Sequence, residues 1–89
     1  NMMLAAAVNT GEVRRFLVGP AGCEVTGVTT TPDGKTMFVN IQHPGEPANE
    51  LSDPKNPRAV SNWPEKKANG RPRSATVVIR KADGGVVGT

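Results

Sequence analysis

Apolar and β-branched residues occur along this chain in short runs separated by Gly, Pro, Asn and Asp. The longest organised stretch is Gly22 to Glu46. Val25, Thr26, Val28, Thr29, Thr30 and Thr31 suit a pleated, half-buried strand. Pro32-Asp33-Gly34 then supplies a turn: Pro sets φ, Asp bonds its own backbone and Gly accepts positive φ. Thr36-Met37-Phe38-Val39-Asn40-Ile41 returns alongside. The pattern predicts one long hairpin whose open end brings Glu24 near Gln42, His43 and Glu46.

The same alternation predicts the flanking elements. Met2 to Val8 has helical propensity in its Ala, Leu and Met residues, but it is short and runs into Asn9-Thr10-Gly11. A strand-like run, Val13 to Val18, follows, so a hairpin is the better reading. Gly19-Pro20-Ala21-Gly22 reads as a sharp connector. From Pro44 to Arg73 periodicity disappears and six prolines punctuate the chain. A loop this long in a small unit is functional or disordered, and it is expected to be mobile except where Trp63 packs. Ala48-Asn49-Glu50-Leu51 suggests a turn of helix within it. Ser74 to Lys81 is the clearest single strand; Ala82-Asp83-Gly84-Gly85 turns it and Val86-Val87 begins a partner. The expected fold is therefore all-β and antiparallel, with six short strands and no convincing helix.

Spaced strands with turns of this kind suggest a repeat architecture, equivalent to about one and a half blades of a β-propeller. Residues 1–18 would be the outer strands of one blade. Residues 19–89 would be the next, interrupted by an irregular loop over 44–73. The three tight turns would share one end, and the long loop, the Gly19–Glu24 connector and the chain end the other.

Composition narrows this picture. Aromatic residues are 3% of the 89 and Tyr is absent, so the core must be thin. Small domains bury a limited share of their surface, and the chain reads as a piece of a larger protein. Such a piece exposes strand edges that normally pair, so it is expected either to self-associate through them, by strand exchange with a copy of itself among other routes, or to stay partly unfolded. The net charge is +3, with much of the excess in Lys66, Lys67, Arg71 and Arg73. Without interleaved aromatics for stacking, that run does not predict nucleic-acid binding. Met2 to Val8 is too short to span a membrane. A lone Cys23 excludes an internal disulfide and an all-Cys zinc site.

Candidate chemistry gathers at the hairpin's open end. Glu24 is a hard oxygen donor suited to calcium or iron, or an ordinary loop carboxylate. Glu46 lies across the opening, where a cation would offset the repulsion between the two, and it reads equally well as a surface residue. His43 is the single histidine; it orients Glu24 or a phosphate, or caps the strand end. Arg71 and Arg73 offer guanidinium groups to phosphate, with solvation of the loop as the plainer reading. Ser74 lacks any nucleophile-elbow context, and Cys23 reads as a small buried hydrophobe.

Gly22-Cys23-Glu24-Val25-Thr26-Gly27, Asn40-Ile41-Gln42-His43-Pro44-Gly45-Glu46 at its distance downstream, and Pro72-Arg73-Ser74-Ala75-Thr76-Val77-Val78-Ile79-Arg80 resemble the C-terminal region of PhoX-type alkaline phosphatases. The resemblance covers most of the chain outside 47–70. It implies a bacterial, periplasmic or secreted phosphomonoesterase acting on phosphate esters. It also implies a propeller carrying calcium and iron at its channel mouth, with Glu24 as a metal ligand. The chain alone, without the remaining blades, is expected to be inactive. A non-catalytic propeller module for binding or assembly, and a sugar-lactone hydrolase-like propeller, are the alternative readings.

Overall fold

The computed structural model describes residues 1–46 and 55–89. The suggested helical turn at Ala48–Leu51 lies outside the described residues. Among the described residues five strands form: β1 (Met2–Ala6), β2 (Val13–Val18), β3 (Glu24–Thr30), β4 (Thr36–Gln42) and β5 (Ala75–Arg80). They make two antiparallel sheets, β1-β2 and β3-β4-β5. There is no helix among the described residues, hence none long and apolar enough to cross a membrane.

The β3-β4 hairpin follows the sequence logic closely. Thr31 N–H donates to the Thr36 carbonyl at 2.9 Å and Gly34 N–H to the Thr31 carbonyl at 2.8 Å. Asp33 accepts from the Thr31 hydroxyl at 2.6 Å and from Lys35 N–H at 3.0 Å. These donors favour the ionised form and hold the Asp33 carboxyl below its usual range, the Thr31 bond contributing most. Gly34 takes φ 69°. Register pairs Glu24 with Gln42 and Val25 with Ile41, then slips between Thr26 and Val28. Gly27, at φ 44°, absorbs that slip as a bulge.

β4 is the central strand, and it carries the core. Val39 and Ile41 are 1% and 2% exposed, and Cys23 joins them at 2%. Burying an aliphatic side chain of this kind contributes about 1.5–3 kcal/mol. Three such residues make a thin core. Met2, Leu4, Val13, Val18, Val28 and Val78 remain more than half exposed. The radius of gyration is 15.6 Å, against about 12 Å for a compact domain of this length. The molecule is a slab with apolar faces.

One strand differs from expectation. Val86-Val87 does not return along β5, so the sheet has three strands instead of four. The turn at Gly84 (φ 76°) sends the tail across the neighbouring β3-β4 turn, where Val87 N–H donates to the Gly34 carbonyl at 2.9 Å. Two valines in a Gly-rich segment gain one such bond and a contact, which a two-residue strand against an exposed edge does not exceed. The chain end thus lies at the tight-turn end of the sheet, not at the open end beside the long loop.

At the open end, the connector after β2 is closed against the segment after β4. Gly45 N–H donates to the Ala21 carbonyl at 2.8 Å. Gly22 sits at φ 72°, and a Cβ there would lie 2.7 Å from the Glu46 carbonyl oxygen and 2.8 Å from its nitrogen. Both backbone geometry and space require glycine. Gly22→Ala is expected to destabilise the protein by about 1–3 kcal/mol, measured by denaturant unfolding. A loss smaller than a few tenths would show that the two loops are not in contact.

Candidate functional site

The closure places three ionisable side chains together. The hairpin register sets Glu24 at the start of β3 opposite Gln42, and His43 follows immediately at φ 38°. This turn carries the imidazole back between the two carboxylates. Its Nε2 lies 3.4 Å from Glu24 Oε2 and its Nδ1 2.9 Å from Glu46 Oε2. Nδ1 is also 3.2 Å from the Gly22 carbonyl. The His43 N–H donates to Ser74 Oγ at 3.0 Å, which fixes the residue from the β5 side.

Electrostatically the cluster favours the imidazolium. Partial desolvation alone would push the His43 pKa down. The Gly22 carbonyl, the residue's own backbone, the Glu24 carboxylate and the Glu46 charge outweigh it and hold His43 above its ordinary value. The protonated ring therefore bridges Glu24 and Glu46 in mildly acidic solution. The bridge is lost as pH rises through the raised pKa, leaving two carboxylates facing a neutral ring.

The expected cation between Glu24 and Glu46 has to be judged against this geometry. Among the described residues, no three His, Cys, Asp or Glu side chains converge as a metal shell. Glu24 and Glu46 are 57% and 62% exposed and offer hard oxygens, but His43 occupies the space between them. The donor set fits one or two arms of a larger ligand shell, not a closed site.

The other candidates fall outside the cluster. Arg73 donates from Nε to Glu65 Oε1 at 2.7 Å, and its second contact is with the same oxygen. That pairing holds the Glu65 carboxyl below its usual range. Arg73 thus closes the long loop on itself and is not joined to the His43 cluster by any contact among the described residues. Cys23 is buried behind the site; its carbonyl accepts from the Asn1 side-chain amide. Ser74, read from sequence only as a strand start, proves to be the partner of the His43 backbone.

The described part of the long loop is folded against the site. Trp63-Pro64 is a cis peptide. Arg73 N–H donates to the Trp63 carbonyl at 3.1 Å and Lys66 N–H to the Asn62 carbonyl at 2.9 Å. A Cβ on Gly45 would lie 2.9 Å from Pro72 Cγ and 3.3 Å from Ser61 Cβ, so both ends of this loop press on the turn after His43. Along the sheet face from Glu24, an open groove of about 460 Å³ is lined by Thr26, Asn40, Gln42, Ser74 and Thr76 together with the apolar Ile41 and Ala75. Thr76 Oγ1 donates to Asn40 Oδ1 there at 2.8 Å. The groove is uncharged and mixes hydrogen-bonding groups with apolar surface.

Comparison with known proteins gives this geometry its context. The family model described as Alkaline phosphatase PhoX matches residues 1–45, which include β1 to β4, Glu24 and His43. This chain belongs to the PhoX alkaline phosphatase family. A solved structure, Pseudomonas fluorescens PhoX in complex with vanadate, a transition state analogue, is similar at 51% identity with a TM-score of 0.79. The match covers 99% of this chain and 13% of that one. This chain therefore spans about an eighth of that PhoX protein's length. A search of curated proteins returned no match.

A titration tests the bridge directly. In metal-free protein, the His43 ring followed by NMR is expected to titrate above the ordinary imidazole value of about 6.5. Glu46→Gln is expected to lower that midpoint. A midpoint at or below the ordinary value, unmoved by Glu46→Gln, would mean that the carboxylates do not hold the ring.

Proposed function

We infer that this chain is a section of a metal-dependent phosphomonoesterase, a blade and a half of a β-propeller whose other blades complete the catalytic site. The reading is carried by one observation: 51% identity along nearly the whole chain to a PhoX protein trapped with a transition-state analogue. The slab shape and exposed apolar faces suit an element that packs between neighbours. The β1-β2 pair would then be the outer half of one blade and β3-β4-β5 most of the next.

In this reading Glu24 is a ligand arm, and the cations are calcium and iron. When bound, they supply Lewis-acid polarisation of the phosphoryl oxygens and an activated nucleophile. The residues of this chain do the positioning. Glu24 presents its carboxylate from a strand end fixed by the Gln42 pairing. His43, held by Gly22, Glu46 and Ser74, orients the Glu24 carboxylate from outside, as partners behind a ligand do. Glu46 balances the charge on His43. The substrates are phosphate esters, and the site works outside the cytoplasm, in the periplasm or beyond.

The full-length protein is expected to hydrolyse p-nitrophenyl phosphate and to lose that activity to a chelator. Glu24→Gln is expected to lower kcat by about 100-fold, and His43→Gln by about 10-fold with weaker metal retention. Hydrolysis unaffected by chelator or by Glu24→Gln would remove Glu24 from the metal shell. No hydrolysis by the metal-loaded protein would favour a propeller used for binding or assembly.

A further inference from the structure

Charge is distributed unevenly in this chain. Between positions 55 and 73, Lys55, Arg58, Lys66, Lys67, Arg71 and Arg73 accompany a single carboxylate, Glu65. Elsewhere there are five Lys or Arg against seven Asp or Glu. The 55–73 part of the long loop is thus strongly cationic, while the positions outside it carry more carboxylates than cations.

Two further facts give that concentration a direction. Glu65 is already taken by Arg73. Lys66, Lys67 and Arg71 are exposed and form no salt bridge among the described residues, the charge of Lys67 acting only weakly on Glu65. The loop is also held in shape. Lys66 sits at φ 56°. The Lys67 carbonyl accepts from the Asn62 side-chain amide at 3.1 Å and from Gly70 N–H at 3.0 Å. Through Ser61 and Pro72 the same loop packs on Gly45, two residues from His43. A fixed cationic rim therefore borders the end of the sheet that carries Glu24, His43 and Glu46.

Resting on the phosphatase reading above, we propose that Lys66, Lys67 and Arg71 select substrates whose leaving group bears anionic charge beyond the phosphate being removed. An ester with a single phosphate needs only the catalytic centre. A bisphosphate extends a second dianion, which a neighbouring cluster of exposed cations attracts. Exposed cations act at range by raising the local concentration and capture rate of anions, an effect that salt screens. Their removal therefore acts on kcat/KM and leaves kcat in place.

The test compares fructose 1,6-bisphosphate with fructose 6-phosphate, and p-nitrophenyl phosphate as a reference, using the metal-loaded full-length protein. The triple variant Lys66→Gln, Lys67→Gln, Arg71→Gln is set against Lys35→Gln, which removes one cation at the opposite end of the β3-β4 hairpin. At about 20 mM salt, the triple variant is expected to lose roughly tenfold in kcat/KM for the bisphosphate. Fructose 6-phosphate and the reference ester should change less than about threefold, with kcat retained for all. The difference should close at about 500 mM salt. Lys35→Gln should behave as wild type. Equal losses on both sugar phosphates, or a loss that persists in high salt, would overturn the proposal while leaving the phosphatase reading standing. Absence of hydrolysis of any ester by the wild-type protein would overturn both.

Discussion

The open end of the hairpin is closed by backbone meeting backbone. Gly22 lies so close to Glu46 that no side chain fits between them, and Ala21 and Gly45 share a hydrogen bond across the seam. Everything chemical in this chain depends on that closure. It brings the Gly22 carbonyl and Glu46 to one side of His43, while the strand register delivers Glu24 to the other. Without it, Glu24 and Glu46 would be two solvated carboxylates on separate loops. With it, they are parts of one electrostatic unit centred on the His43 ring.

A second constraint is the thinness of the core. Only Val39, Ile41 and Cys23 are deeply buried hydrophobic residues among those described, so cohesion comes largely from strand pairing and from loop-to-loop contacts. The long loop takes part in that cohesion. Ser61 and Pro72 press on Gly45, Ser74 holds the His43 backbone, and Arg73 ties the loop to Glu65. The cationic tip is thereby attached to the same structure that shapes the site. Such a slab, with valines and a leucine on its open faces, is suited to pack against other parts of a larger PhoX-family protein.

Much of this arrangement was legible in the residues. The β-branched run, Pro-Asp-Gly and the returning strand specified the central hairpin, because turn chemistry and alternation act locally. The adjacency of Glu24 with His43 and Glu46 followed from it. The tail was harder: Val86-Val87 has strand propensity, but its course depends on a contact with Gly34, more than 50 positions away. The pairing of Arg73 with Glu65, inside a segment with no periodicity, and the bond from the His43 backbone to the distant Ser74 likewise had no signature in the residues. Gly27, alone in a Thr/Val strand, carries a local signal for the bulge that the expected regular hairpin did not include. The glycines flanking the site signalled tight backbone, though not against what.

The central claim is that the open end is a closed, ordered unit, and amide hydrogen exchange tests it most directly. The account predicts that Gly45 and Arg73, whose N–H groups donate to Ala21 and Trp63, exchange slowly, together with the β4 amides. Gly22→Ala should release Gly45 before β4. Exchange of Gly45 and Arg73 at the rate of an unstructured loop in the wild-type protein, while β4 stays protected, would contradict it. The hairpin would then end in two independent loops, and Glu24, His43 and Glu46 would not form a site.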